Sequence, residues 1–206
     1  MSTPVSRLKH KAAPPPRERI LQAARELFYR DGIRAVGVDA IAAAAGTNKM
    51  TLYRHFTSKD TLVAAYLKDL AGEGEALWEE ASGKYPGDAE AQLRYLMRRV
   101  SQFADEFAGR GCALANAAIE LTERRHPARK VIEAHKKRNR ERLVGLCRDA
   151  GYLHPESLAD EIFLLVEGAR VSLQSVGREG PGARLFALAE ALLDSAPRKK
   201  AAKTHA

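Results

Sequence analysis

Thr47, Asn48, Lys49, Met50 and Thr51 stand together in this sequence, and Tyr53, Arg54, His55 and Lys59 follow closely. The first group offers hydroxyl, carboxamide, ammonium and thioether groups. Lys49 suits guanine acceptors, Asn48 or Thr51 suits several bases, and Met50 can pack on a thymine methyl. The second group offers phenol, guanidinium, imidazole and ammonium donors, which match phosphate oxygens. Such contacts to nucleic acid require one protruding edge that carries the whole set, so the flanking elements decide whether the chemistry is real.

Those elements have the required form. Residues 38–56 read VDAIAAAAGTNKMTLYRHF. Apolar spacing predicts a short helix over Val38–Ala45, stopped by Gly46, and a second over Asn48–His55. Two short helices joined by a tight glycine turn form a helix-turn-helix, whose second helix enters the major groove and touches bases through its N-terminal residues. Ile41, Ala45, Leu52 and Phe56 are the expected inward positions, and the small side chains of Ala42–Ala45 let the helices cross closely. Upstream, Ile20, Ala23, Ala24, Leu27 and Phe28 predict a first helix from about Arg17, ended by Asp31-Gly32. Downstream, Ser58 is placed to cap a long helix carrying Leu62, Val63, Tyr66, Leu67 and Leu70, running on to Trp78 and Glu79 although Gly72 and Gly74 weaken it. The positive end of that helix would face the same edge. On spacing alone, an Ala-rich hairpin inside an ordinary helical bundle fits the pattern as well.

The charge distribution bears on this. Of a net charge of +8, residues 1–60 carry eleven Lys/Arg against five Asp/Glu, while residues 61–196 carry nineteen against twenty-one. A polyanion bound by the N-terminal third accounts for the asymmetry; part of it also fits basic ends that serve solubility. Residues 1–16, ending in Pro14-Pro15-Pro16, read as a flexible basic arm whose Arg7–Lys11 either reaches DNA or aids solubility. Residues 197–206 read as a disordered basic tail.

With those residues in view, the chain resembles the TetR family of transcriptional regulators. The likeness rests on GTNKMTLYRHFTSKDTLV with Ile41-Ala42 upstream, and above all on Leu52-Tyr53-Arg54-His55-Phe56 followed by Ser58-Lys59. It is dense over about residues 17–63, and Gly111–Asn116 resembles a run found in one branch of the family. The resemblance implies an all-α fold of about nine helices: a helix-turn-helix DNA-binding domain over 17–60 and a helical effector-binding and dimerisation bundle over 61–196. It further implies a ligand-responsive homodimeric repressor that binds a palindromic operator in double-stranded DNA. One departure is Gly37, where many relatives have Ser or Thr. Glycine can serve as an N-cap but has no side-chain oxygen, so no phosphate contact carries over there.

Beyond residue 88 the pattern stays helical, and no strand pattern occurs. Ala113–Glu123 is apolar nearly all round and is expected to be buried; helices over 128–150, 156–176 and 183–195 follow. Ile162–Val166 is apolar around the helix, and Leu185, Phe186, Leu188, Leu192 and Leu193 give the last helix a similar need. These two helices match the dimer contact that the family resemblance implies, though burial within one subunit would also satisfy them. Polar residues on apolar faces mark a candidate ligand pocket: Asn116 with Glu120, His135 with Asn139, and Glu167 with Arg170, lined by the aromatics Phe103 and Phe107. Mutual pairing, such as Glu167 with Arg170, would satisfy them without a ligand. The basic run Lys136, Lys137, Arg138, Arg140 and Arg142 reads as a solvated outer face.

Other functions find little support. The six histidines are scattered, with no HExxH, nucleophile elbow or phosphate-binding glycine loop. No catalytic residue, metal site or cofactor is expected. Cys112 and Cys147 lie far apart and outside any CxxC pair, which fits a reduced cytosolic protein; the family resemblance implies a bacterial cytoplasmic protein associated with the nucleoid. No segment is apolar for long enough to span a membrane.

Overall fold

The structure, a computed structural model, describes residues 13–106 and 111–199, with side chains described throughout except at 103–106. Phe107, most of the basic arm and the end of the tail lie outside the described residues, as does the side chain of Phe103. Among the described residues the fold is all-α, with nine helices and one 3-10 turn. The chain divides into two compact units, with the boundary between Leu62 and Val63.

In the first unit, α1 (Pro16–Asp31) begins one residue earlier than expected, because a proline is well suited to the first helical position. Gly32, at φ 89, ends it. Helix α2 (Val38–Ala44) starts at Gly37 with no side-chain cap, and Gly46 at φ 59 turns the chain into α3 (Lys49–His55). A side chain at Gly46 would meet both that unfavourable φ and the Arg19 guanidinium at 3.3 Å. The three helices pack on one another around Ile20, Ala24, Phe28, Ile41 and Leu52, all buried.

Helix α4 (Lys59–Lys84) starts in this unit and continues into the second. Ser58 caps it as expected: its hydroxyl accepts from Thr61 N–H at 3.1 Å, while the Ser58 N–H donates to Thr61 Oγ1 at 3.0 Å. The helix passes through Gly72 and Gly74 and ends further on than the sequence suggested.

The second unit is built from the remainder of α4 with α5 (Ala89–Glu106), α6 (Ala113–Glu120), α7 (Pro127–Asp149), α8 (Pro155–Val176) and α9 (Leu185–Ser195). Helix α7 packs against α5 and α8, and α9 closes over α5 and α8. Leu93, Leu96, Cys147, Tyr152, Ile162 and Leu193 are at the centre of its core. Burial pushes the Cys147 thiol up to about 12, so it stays protonated and serves as a small apolar residue. His126 caps α7, accepting from Ala128 N–H through Nδ1 at 3.1 Å.

Two expectations need correction. Helix α6 is not buried all round: Leu114 and Ala117 are covered, but Ile119 is 74% exposed. An eight-residue helix packed mainly on α7 has one face left over. Nor is the tail loose from its start. Leu153 N–H donates to Pro197 O at 2.8 Å, Lys199 N–H donates to Gly151 O at 2.9 Å, and Arg198 meets Glu90 at 2.7 Å. These bonds tie residues 197–199 to the α7–α8 loop and to α5. No described helix is long and apolar enough to cross a membrane.

Candidate DNA interface and ligand cavity

Helix α3 presents two faces. Leu52 and Phe56 point into the first unit and are buried, with the Arg17 guanidinium 5.2 Å from the Phe56 ring. Turned away from that contact are Met50, 83% exposed, and Tyr53, 41% exposed. Lys49, Asn48 and Arg54 are also exposed, while Thr47 and Thr51 are half-buried.

Five of the nine predicted residues, Asn48, Lys49, Met50, Tyr53 and Arg54, are thus exposed along α3 or at its start, and four members of the set have contacts that bear on their use. Asn48 precedes the helix rather than lying in it: its Oδ1 accepts from Thr51 N–H at 2.9 Å. That cap is worth about 1 kcal/mol, and it leaves only the Asn48 amide nitrogen to donate outward. Lys49 Nζ lies 3.1 Å from Asp39 Oδ2 of α2. Both groups are well exposed, so the pair is weak and can be exchanged for another acceptor. His55 is half-buried, with Nε2 enclosed and without a hydrogen-bond partner; only Nδ1 remains to offer outward. Lys59, at the start of α4, makes a long 3.5 Å contact to the Arg34 carbonyl.

In the second unit a cavity of about 130 Å³ lies between α4, α5, α7 and α8. Four of the predicted ligand residues line it: His135, Asn139, Glu167 and Arg170. Asn116 and Glu120 on α6 do not. Sequence reasoning missed Gly74, Trp78, Met97 and Lys136, which are also among its lining residues. Lys136 is the clearest correction, because the basic run was read as a solvated face. Its ammonium lies 2.5 Å from Glu167 Oε2 and 5.5 Å from the centre of the Phe163 ring. A four-carbon stem lets a residue one step off the inward stripe bring its charge round to it. Its neighbours Lys137 and Arg138 stay exposed.

The expected pairing of Glu167 with Arg170 is present, at 3.1 Å, so one carboxylate serves two cations. His135, 8% exposed, packs its ring edge over Gly74, where an added Cβ would come within 3.2 Å. Asn139 Nδ2 is 3.0 Å from His135 Nε2. His135 Nδ1 and Asn139 Oδ1 are both enclosed without a partner, whereas such groups are normally satisfied. Burial lowers the His135 pKa, and the cations Lys136, Arg138 and Arg170 reinforce this against the opposing pull of Glu75. The ring is therefore held neutral. Among the described residues no cluster of His, Cys, Asp and Glu has the form of a metal site.

Comparisons with known proteins agree with this architecture. The sequence pattern described as "Bacterial regulatory proteins, tetR family" matches residues 20–66. The transcriptional regulator UidR of Escherichia coli is 42% identical over 55 residues, which is 27% of this chain and 28% of that protein. The transcriptional activator FasR of Mycolicibacterium smegmatis is 46% identical over 52 residues, 25% of this chain and 24% of that one. The match thus spans about a quarter of each of these relatives. A far longer likeness exists to the crystal structure of a TetR-family transcriptional regulator from Streptomyces coelicolor. The TM-score is 0.80 at 30% identity, over 87% of this chain and 94% of that one. An identity of that level across nearly the whole of a family member, with the family pattern over α1 to α4, makes this chain a member of the TetR family, a transcriptional regulator and not an enzyme, with a DNA-binding helix-turn-helix.

Proposed function

We propose that the chain acts as a homodimeric repressor that covers a palindromic operator and is released when a small molecule enters the second unit. The observation that carries the DNA part of this reading is the open outer face of α3. Thr47, Asn48, Lys49, Met50 and Thr51 face the bases in this account, and Tyr53, Arg54, His55 and Lys59 hold the phosphates. Repression is the simplest outcome of a dimer lying across a promoter, since it excludes other proteins from the site.

Pairing of α8 and α9 across a two-fold axis supplies the dimer. Leu164, 69% exposed, and Val171, 54% exposed, lie two turns apart on one stripe of α8 with Gly168 between them. Leu188 of α9 is also exposed. An apolar stripe of this kind calls for a cover, and a second copy of the same surface is the commonest solution. The cavity is the effector site in this reading. Helix α4 contributes Gly74 and Trp78 to it and begins, at Lys59, beside the recognition helix. A ligand that favours one position of α4 shifts the spacing of the two recognition helices, provided it binds that state more tightly.

Paired substitutions test the DNA assignment. Tyr53→Ala is expected to weaken binding about tenfold or more, and to a similar extent on every sequence, as loss of a hydrogen bond to a charged oxygen would. Lys49→Ala is expected to cost about 1–3 kcal/mol on the preferred operator and little on others, relaxing the choice at one base position. Binding profiles over a randomised operator library separate the two. A Tyr53→Ala protein with unaltered affinity would refute the phosphate assignment.

A further inference from the structure

The cavity carries more information than its position. Its volume of about 130 Å³ is close to the ~150 Å³ at which an engineered apolar cavity in another protein accepts benzene, so it suits a single ring. Leu77, Trp78, Leu96, Met97, Phe163 and Val166 provide apolar and aromatic walls for such a ring.

Charge narrows the class. Lys136 and Arg170 share the one carboxylate of Glu167, and all three side chains are half-buried or more. Next to them Arg138 and Arg142 share Glu75, at 3.7 and 2.5 Å. Arg142 also stands 5.4 Å from the Trp78 ring and has Nη1 enclosed without a partner. Among the residues that line the cavity, two cations therefore stand against one carboxylate, and partly buried charge in excess favours an anion. A carboxylate is the anion that matches the fork of an arginine and the ammonium of a lysine together.

The unsatisfied pair adds the remaining feature. With Asn139 Nδ2 donating to His135 Nε2, a neutral ring carries its proton on Nδ1. His135 Nδ1–H then requires an acceptor and Asn139 Oδ1 a donor. A hydroxyl group supplies both.

We propose that this cavity binds a compact aromatic carboxylate, one ring bearing a carboxylate and a hydroxyl. The carboxylate lies toward Lys136 and Arg170, and the hydroxyl lies toward His135 and Asn139. The proposal rests on the reading of the cavity as the effector site and gives that site its ligand chemistry.

Trp78 is the only tryptophan in the chain, so its fluorescence reports on the cavity in the intact protein without recourse to DNA. The probes are the three hydroxybenzoates, benzoate, and the uncharged hydroxybenzamides. At least one hydroxybenzoate is expected to change the Trp78 emission saturably, with half-saturation below about 1 mM. Benzoate, which lacks the hydroxyl, and the matching amide, which lacks the charge, should each bind about tenfold more weakly or worse. Lys136→Gln should remove most of the preference for acid over amide. Because the panel is read on the unaltered chain, a variant that failed to fold would leave the comparison intact. Absence of any saturable response to the acids, or equal response to acid and amide, would overturn the proposal. Release of operator DNA is measured separately. Binding of a hydroxybenzoate without release supports the ligand class and counts against the effector reading. Release by an uncharged or much larger compound alone supports that reading and overturns the ligand class.

Discussion

Leu164→Asp is expected to give a folded, monomeric protein whose affinity for a full operator falls by a factor of about 10²–10⁴. Leu164 is 69% exposed within one chain, so the exchange costs a single subunit little. Across a two-fold interface of α8 and α9 the same change would bury unpaired carboxylates near the axis, which such contacts do not tolerate. Two heads joined in one dimer gain affinity because the second binds at high effective concentration, a factor of about 10²–10⁴ that a monomer forfeits. Light scattering after size exclusion reads the mass, and titration of full and half operators reads the affinity. Binding to a half operator should change little. A Leu164→Asp protein that remained dimeric would show that α8 does not form the contact.

The second large effect is expected from Leu52→Ala. Leu52 has no exposed surface, and it fixes α3 against α1 and α2. Truncating a buried leucine costs about 2–5 kcal/mol, depending on how far the gap can close. A helical unit of this size has limited stability of its own. Operator binding should therefore be lost on every sequence, in contrast to the selective loss from Lys49→Ala. Amide exchange is expected to accelerate in α1, α2 and α3 while α7 and α8 keep their protection. Unchanged exchange in α3 would contradict this description of the packing.

How much of this was legible in the sequence depends on how local each determinant is. The helix-turn-helix was readable because its signals lie within a few residues of one another: the Gly46 turn, the apolar spacing of Ile41, Leu52 and Phe56, and the Ser58 cap. Even there, the carboxamide of Asn48 reads only as a base donor, and the use of its oxygen as the cap of α3 is not legible. A residue type suited to both tasks gives no sign that its two polar atoms are divided between them. The cavity was harder to see. His135, Asn139, Glu167 and Arg170 could be picked out as polar groups on apolar faces, because helical period alone places them inward. Their convergence on Trp78 and Met97 depends on how α4, α5, α7 and α8 pack, and no local pattern encodes that. Lys136 was misjudged because its helical phase points sideways; only its long stem brings the charge inside. Ile119 shows the reverse error, since apolar composition led to an expectation of burial that packing did not meet. Pro197–Lys199 looked like loose tail because backbone hydrogen bonds to a distant loop leave no trace in composition.

The central claim is that this chain is a dimeric reader of specific DNA, and selection of bound fragments from the source genome by the purified full chain tests it most directly. Near-physiological salt matters, because non-specific phosphate binding dominates at low salt and falls steeply as salt rises. The account predicts recovery of a few sites, each an inverted repeat whose half-sites lie about one or more helical turns apart, with protection of both halves by one dimer. Recovery of fragments with no shared sequence, or of single unrepeated half-sites, would contradict it.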